Sequence, residues 1–323
     1  MRILLSLLVL AAAATSQAQE RPAGLARDDH VPPEMPETRL SVPGGEVVVR
    51  VASGSLALPR DRVLAWIEQS ARVVAAYYGR FPARHTSLLV VPRAGRGVSG
   101  GRAWGHRGAA IRITLGEQAT EADLKRDWVL VHEMIHLAFP SVPSRHHWIE
   151  EGLATYVESI ARAQQGRLDA VTMWSELAAG LPKGLPQPGD RGLDATRTWG
   201  RTYWGGGLFA LLADVEIRRR TDNRHGLQDA LRAILAVGNI ETSAELPAVL
   251  DIGDRATGVP VLAELYARMK DAPSPVDLDA LWRELGVRTN DGGVTLDDAA
   301  PRAATRRAIT APPPPAVPSG EPR

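Results

Sequence analysis

His132 and His136 stand four positions apart in the stretch VLVHEMIHLAFP, residues 129–140, and Glu133 follows directly on the first of them. On a helix, residues i and i+4 lie on one face a turn apart, so both imidazoles can be directed at one point in space. That is how a single helix offers two nitrogen ligands to a tetrahedral zinc. Glu133 is then left free to act as general base toward a water that the metal activates. The competing reading is an amphipathic helix that happens to carry two histidines. The pattern arises by chance in roughly one chain in a hundred of this length, so it calls for corroboration.

A catalytic zinc takes a third protein ligand and keeps one position open. The stretch HWIEEGLATY, residues 147–156, supplies Glu150 and Glu151. On a helix these two point about 100° apart, so only one can serve comfortably, and Glu151 shares its face with the small residues Ala154 and Thr155, which let two helices approach. Taken alone, the two glutamates read as surface acids at a helix start, where the dipole favours them. Beside the histidine pair, Glu151 is the favoured ligand. His146 and His147 lie on the turn before Trp148, close enough for outer contacts, although exposed loop histidines are the commoner case. His30, His85, His106 and His225 show no ligand spacing. Trp128, Trp148 and Tyr156 read as packing between the two site helices, and Asp214 as a partner for Arg218 one turn on.

The combination HEMIH, a short spacer and WIEEGLATY resembles the gluzincin (peptidase MA-like) zinc metallopeptidases, whose pattern is His-Glu-x-x-His followed by Trp-x-x-Glu-Gly-x-Ala. Residues 202–235, TYWGGGLFALLADVEIRRRTDNRHGLQDALRAIL, are similar to a segment of the glycyl aminopeptidase family, the nearest branch. The resemblance covers roughly 120–235. It implies a zinc held by His132, His136 and Glu151, Glu133 as the base, and Tyr203 as the phenol that donates a hydrogen bond to the oxyanion. It also implies a zincin-like α+β fold: a small mixed sheet with the active-site helix beneath it, then a mainly helical second half, with the cleft between them. The chain departs from the family where a lysine is replaced by Gly205, at the start of the run Gly205, Gly206, Gly207, which suits either close approach of backbone or substrate or a flexible helix entry. The spacer between His136 and Glu151 is shorter than in the main aminopeptidase branch, and no Gly-x-Met-Glu-Asn sequence is present to grip a free amino terminus.

These residues need elements to hold them. EVVVRVA (46–52) and TSLLVV (86–91) have strand character, and between them Val63, Trp66, Ile67, Val73, Val74 and Tyr77 recur at helical spacing up to a closing Gly79. AAIRITLG (109–116) alternates, Ile111, Ile113 and Leu115 one way and Arg112 and Thr114 the other. The glycine-rich stretch ahead of it stands where such folds place the sheet edge that binds an extended peptide, and an ordinary hairpin loop fits it as well. Thr120 and Asp123 imitate a capping box for a helix running to Pro140. A second helix starts near Trp148. Residues 181–197 read as a loop, with helices at about 202–220, 226–237 and 260–270.

The organisation expected is a signal peptide at 1–18, a linker at 19–38, a sheet-containing subdomain at 39–117, the zinc-site helices at 118–165, a helical subdomain at 166–290 and a disordered Pro-rich tail at 291–323. The signal rests on Arg2, the apolar run Ile3–Ala14, which is short of the ~18 residues needed to span a bilayer, and the small residues Ser16 and Ala18. It predicts a periplasmic or secreted protein with no stable membrane insertion after signal removal. No cysteine is present, so disulfides are excluded. Basic and acidic residues number 38 and 37, which leaves no field to gather nucleic acid. The reading is an exported peptidase with one zinc per chain, acting on a peptide or protein substrate. The alternatives are a zinc hydrolase of a non-peptide substrate and a catalytically inactive metal-containing binding protein.

Overall fold

The computed structural model describes residues 35–290 and 293–312. The expected signal peptide, most of the expected linker and the proline-rich end of the expected tail lie outside the described residues.

A mixed five-stranded sheet is built from β1 (Glu37–Val42), β2 (Gly45–Val51), β3 (His85–Arg93), β4 (Val98–Trp104) and β5 (Ala109–Gly116), in the order β1-β2-β3-β5-β4. β2, β3 and β5 run parallel, and the outer strands β1 and β4 pair antiparallel. Parallel neighbours require a crossover, and α1 (Arg60–Tyr78) provides it between β2 and β3. Val47, Val49, Leu88, Val90, Ile111 and Ile113 alternate onto one sheet face and are buried, with Val63, Ile67 and Val74 of α1 in the same core. Gly79 ends α1 in the left-handed conformation, φ 83°, as its position predicts.

Thr120 and Asp123 do form a capping box, but the helix they start is short. α2 (Glu121–Arg126) stops at Asp127, whose backbone is extended, and a separate α3 (Val129–His136) carries the histidine pair. One helix running to Pro140 is therefore corrected to two. The cause is local: Asp127 turns its carboxylate onto the next segment, Oδ1 accepting from the Val129 N–H at 2.9 Å and Oδ2 from the Leu130 N–H at 3.1 Å. It thereby satisfies two orphan donors of α3.

α4 (His147–Gln164) packs against α3 and is buried along most of its length. Then come α5 (Ala170–Gly180), a π-helical turn at Gly200–Gly205 that leads straight into α6 (Gly206–Arg220), and α7 (Leu227–Val237), α8 (Leu246–Thr257), α9 (Val261–Met269) and α10 (Leu278–Leu285). The expected disordered tail from 291 is also corrected. β6 (Val287–Asn290) and β7 (Gly293–Leu296) pair antiparallel, and α11 (Ala303–Thr310) buries Ile309 and Arg306. The Ile309 carbonyl accepts a hydrogen bond from Gln164 Nε2 at the end of α4. Strand β1 begins inside the expected linker. Among the described residues, no helix is long and apolar enough to cross a membrane.

Candidate metal centre and active site

α3 and α4 bring three ligand types to one point. His132 Nε2 lies 3.2 Å and His136 Nε2 3.5 Å from the same oxygen, Oε2 of Glu151. One donor atom from each residue falls within 4.8 Å of the others, which no other His, Asp or Glu group among the described residues achieves. The two imidazoles stand edge to face with centroids 4.9 Å apart. Two imidazole nitrogens and one carboxylate oxygen are the donor set of hydrolytic zinc. Convergence of both Nε2 atoms on one carboxylate oxygen leaves a single place for a cation, so these residues fit zinc.

Of Glu150 and Glu151, it is Glu151 whose carboxylate lies beside the histidine pair. Glu150 turns away and meets His147 Nδ1 at 3.2 Å. His147 Nε2 in turn lies 3.1 Å from Oε1 of Glu151, the oxygen not shared by the histidine pair. His147 thus bridges both glutamates, a contact that a loop histidine's sequence position does not disclose. Burial works to raise the Glu151 pKa, but hydrogen bonds from His132, His136 and His147 outweigh it and hold the carboxyl far below the usual carboxylate range. His147 itself is raised to about 10, first by Glu150 and then by Glu151.

Glu133 leaves the ligand set and points at the sheet. The register row Val51, Val90, Ile113, Gly101 faces inward, toward α3, and Gly101 contributes no side chain to it. The Glu133 side chain fills that space. Burial pushes its pKa up to about 7; His136 opposes the rise and Glu151 adds to it. β4, the weak sheet-edge expectation, is a real outer strand running directly past this carboxylate.

Tyr203 enters from the π-helical turn, its ring stacked on His132 at 6.3 Å and 19°. Burial, then the negative charges of Glu151 and Glu133, push its phenol up to about 12. The glycine run decides how it arrives. A Cβ on Gly152 of α4 would strike the backbone of Gly206, and one on Gly206 would strike the Trp148 carbonyl. Backbone contact between α4 and α6 is what brings Tyr203 beside Glu151, so close approach of backbone, rather than a flexible entry, accounts for Gly206.

Asp194 has no local sequence signal, yet it anchors the start of α4. His146 Nδ1 lies 2.9 Å from its Oδ1, Trp148 Nε1 donates to the same oxygen at 2.7 Å, and the Tyr266 hydroxyl donates to Oδ2 at 3.0 Å. Trp148 and Tyr156 are buried as expected, but Trp128 is 50% exposed, so its reading as helix packing is corrected. Its ring edge lies 5.7 Å from the His132 ring instead. Asp214 accepts from Arg218 Nε at 2.8 Å as expected, and also from the Tyr156 hydroxyl at 3.0 Å and the Leu227 N–H at 3.0 Å. His85 and His225 lie near single carboxylates away from the site.

By sequence the chain matches no family model and no curated protein. By structure it is similar to an aminopeptidase N family protein from Idiomarina loihiensis, at 14% identity and TM-score 0.56 over 80% of this chain and 51% of that one. It is also similar to a mutant two-domain M1 zinc metallopeptidase bound to L-tryptophan, at 19% identity and TM-score 0.50 over 75% of this chain and 52% of that one. The chain spans about half the length of these solved structures. It has the mixed α+β fold of these structures, and the His132, His136 and Glu151 group lies on α3 and α4, which come after the sheet in the chain.

Proposed function

We propose that this protein is an exported zinc-dependent peptidase. The observation that carries the reading is the separation of roles within one buried cluster. Two histidines and Glu151 converge, while Glu133 and Tyr203 stand beside them without entering the ligand set. A structural zinc site has no need of either. Export rests on the character of the first 18 residues.

His132, His136 and Glu151 would hold the zinc, which when bound supplies Lewis acidity to polarise a carbonyl and acidify a water. Glu133 takes the proton of the attacking water as its oxygen bonds to the carbonyl carbon. It then delivers that proton to the amide nitrogen as the C–N bond breaks. The neutral Tyr203 phenol donates a hydrogen bond to the carbonyl oxygen as negative charge develops there. β4, with its outer side open, offers main-chain groups along which an extended peptide can lie over Glu133.

The experiment compares zinc-loaded wild type with Glu133→Gln on a mixture of synthetic peptides, with zinc content measured for both. Cleavage by the wild type, a loss of about a thousandfold or more in the variant and equal zinc in both are expected. Undiminished cleavage by Glu133→Gln, or a zinc-loaded wild type that cuts none of the peptides, would refute the peptidase reading. In the second case a non-peptide substrate or a binding role takes its place.

A further inference from the structure

Resting on the peptidase reading, we infer that the cavity beside Tyr203 receives one uncharged aromatic side chain of the substrate, from a residue flanking the bond that is cut. The cavity has a volume of about 490 Å³ and lies against α4, α5 and the π-helical turn. That size is ordinary for a small-molecule site and ample for the largest side chains.

Its connection to the candidate centre runs along α4. Glu151, Thr155 and Glu158 succeed one another at spacings of four and three, on one helix face, and the last two line the cavity. Aromatic rings make a second connection. Trp199 stacks on Tyr203 at 5.9 Å, and Tyr203 stacks on His132. Trp128, which also lines the cavity, meets His132 edge-on. Trp204 completes the walls, seated so closely on Gly180 that a Cβ there would run into its ring.

Exposure supplies the reason to expect an occupant. Trp128 is 50% and Trp199 60% exposed, while most other large apolar side chains are buried, and both indoles line this one cavity. Apolar surface left open in a concave site beside a reaction centre is what a ligand covers. The charges favour a neutral ring over a cation or an anion. Lys183 Nζ lies 5.9 Å from the Trp199 centroid and 5.7 Å from that of Trp204. Glu176 contributes the opposite sign, and Glu158 is already paired with Arg162 at 2.9 Å. With Arg162 included the formal charges of these four side chains cancel, so a charged side chain would lose hydration without a strong field of either sign to compensate it. An aromatic ring, in contrast, meets indole walls on more than one side.

The test has two arms. In the first, zinc-loaded wild type, Trp199→Ala and Trp128→Ala digest a pool of random synthetic peptides, and mass spectrometry locates the cuts. Matched peptides with Phe or Ala at the preferred flanking position then give kcat/KM. Wild type should favour Phe over Ala by more than about tenfold, and either substitution should collapse that ratio. The ratio is the readout, so a general loss of rate does not count. In the second arm, zinc-loaded Glu133→Gln carrying fluorotryptophan is titrated with N-acetyl-phenylalaninamide and N-acetyl-alaninamide. Fluorine resonances are assigned through single Trp128→Phe and Trp199→Phe changes, and only the phenylalanine derivative should shift those two. Cleavage without aromatic preference, a preference for basic or acidic side chains, or a ratio unchanged in both alanine variants overturns the proposal and leaves the peptidase reading standing. Absence of cleavage with both resonances still shifted by the phenylalanine derivative has the opposite meaning: the cavity binds aromatic groups and the peptidase reading falls.

Discussion

Gly101 of β4 and Glu133 of α3 share one space: a Cβ on Gly101 would lie 2.5 Å from Cγ and 2.9 Å from Cδ of Glu133. Glu133 sits on a helix and Gly101 on an edge strand, so a methyl group at 101 must displace the carboxylate or push the strand outward. Gly101→Ala should lower kcat by about tenfold to a hundredfold while zinc affinity stays within about twofold, because no ligand is touched. An unaltered kcat would mean that Glu133 tolerates displacement and is not the base.

The contact of Gly152 with Gly206 makes a prediction about stability. Alanine at either position would drive apart two buried helices, at a cost of about 1–3 kcal/mol and more if the backbones cannot adjust. Urea unfolding midpoints should fall accordingly for Gly152→Ala and Gly206→Ala. Alanine at Gly100, which has no left-handed φ and nothing within 4 Å of the added carbon, serves as the control without crowding.

His147 is expected to matter through Glu151. It holds Oε1 of that carboxylate at 3.1 Å, and removing a group that orients a metal ligand typically weakens binding tenfold to a hundredfold, on the order seen for such partners generally. Chelator competition on His147→Ala should show this loss, with partial recovery in His147→Gln, which retains a donor. Equal zinc affinity for wild type and His147→Ala would reduce His147 to a surface residue.

Zinc should also stabilise the fold, since the unfolded chain does not preassemble His132, His136 and Glu151. At free zinc about a hundredfold above Kd the gain is about 2.7 kcal/mol. Thermal unfolding with and without a chelator should differ by that order in wild type and by much less in Glu151→Ala. Coincident curves for the wild type would show that zinc does not bind the folded state.

Away from the site, Glu216 sets a pH dependence. Hydrogen bonds from Arg219 first, and then from Arg220 against the counteracting effect of burial, lower its pKa to about 2. A depressed acid stabilises the fold fully above its unfolded value of about 4.3 and loses that contribution as pH falls toward its folded value. Discounted for solvent screening, the contribution is about 1 kcal/mol. Wild type should therefore exceed Glu216→Gln in stability at neutral pH, and the two should converge between about pH 4 and 2. A constant difference over that range would show that the arginines do not act through the charge.

The sequence carried most of the sheet and the outlines of the site. β2, β3 and β5, α1, α4 and α7 follow from periodicity, because each presents a continuous apolar face that short-range spacing reveals. His132, His136 and Glu151 follow from helical geometry and from the resemblance of the surrounding motif, and the structure brings them together. α8 and α10 lie outside the expected helices although their ends carry local signals: Asp277 caps the start of α10, and Gly258 and Gly286 end the two helices in the left-handed conformation. The break before α3 was missed because Asp127 exchanges helix continuity for capping, a choice that neighbouring spacing does not show. α11 stood in a stretch read as tail because its order comes from contacts made with distant helices.

By itself, the sequence determined which groups are capable of the chemistry: two imidazoles four apart, an acid beside the first, and a second helix with an acid on its small-residue face. These depend on periods of a few residues, which are a property of the chain. Only the tertiary structure decided which groups share a space. It placed Glu133 in the gap at Gly101, brought Tyr203 in through the contact of Gly152 with Gly206, closed His147 onto Glu151, gathered His146, Trp148 and Tyr266 on Asp194, and opened Trp128 and Trp199 onto one cavity. Most of these contacts join residues tens of positions or more apart, and their existence depends on steric fit between elements, which no local pattern encodes.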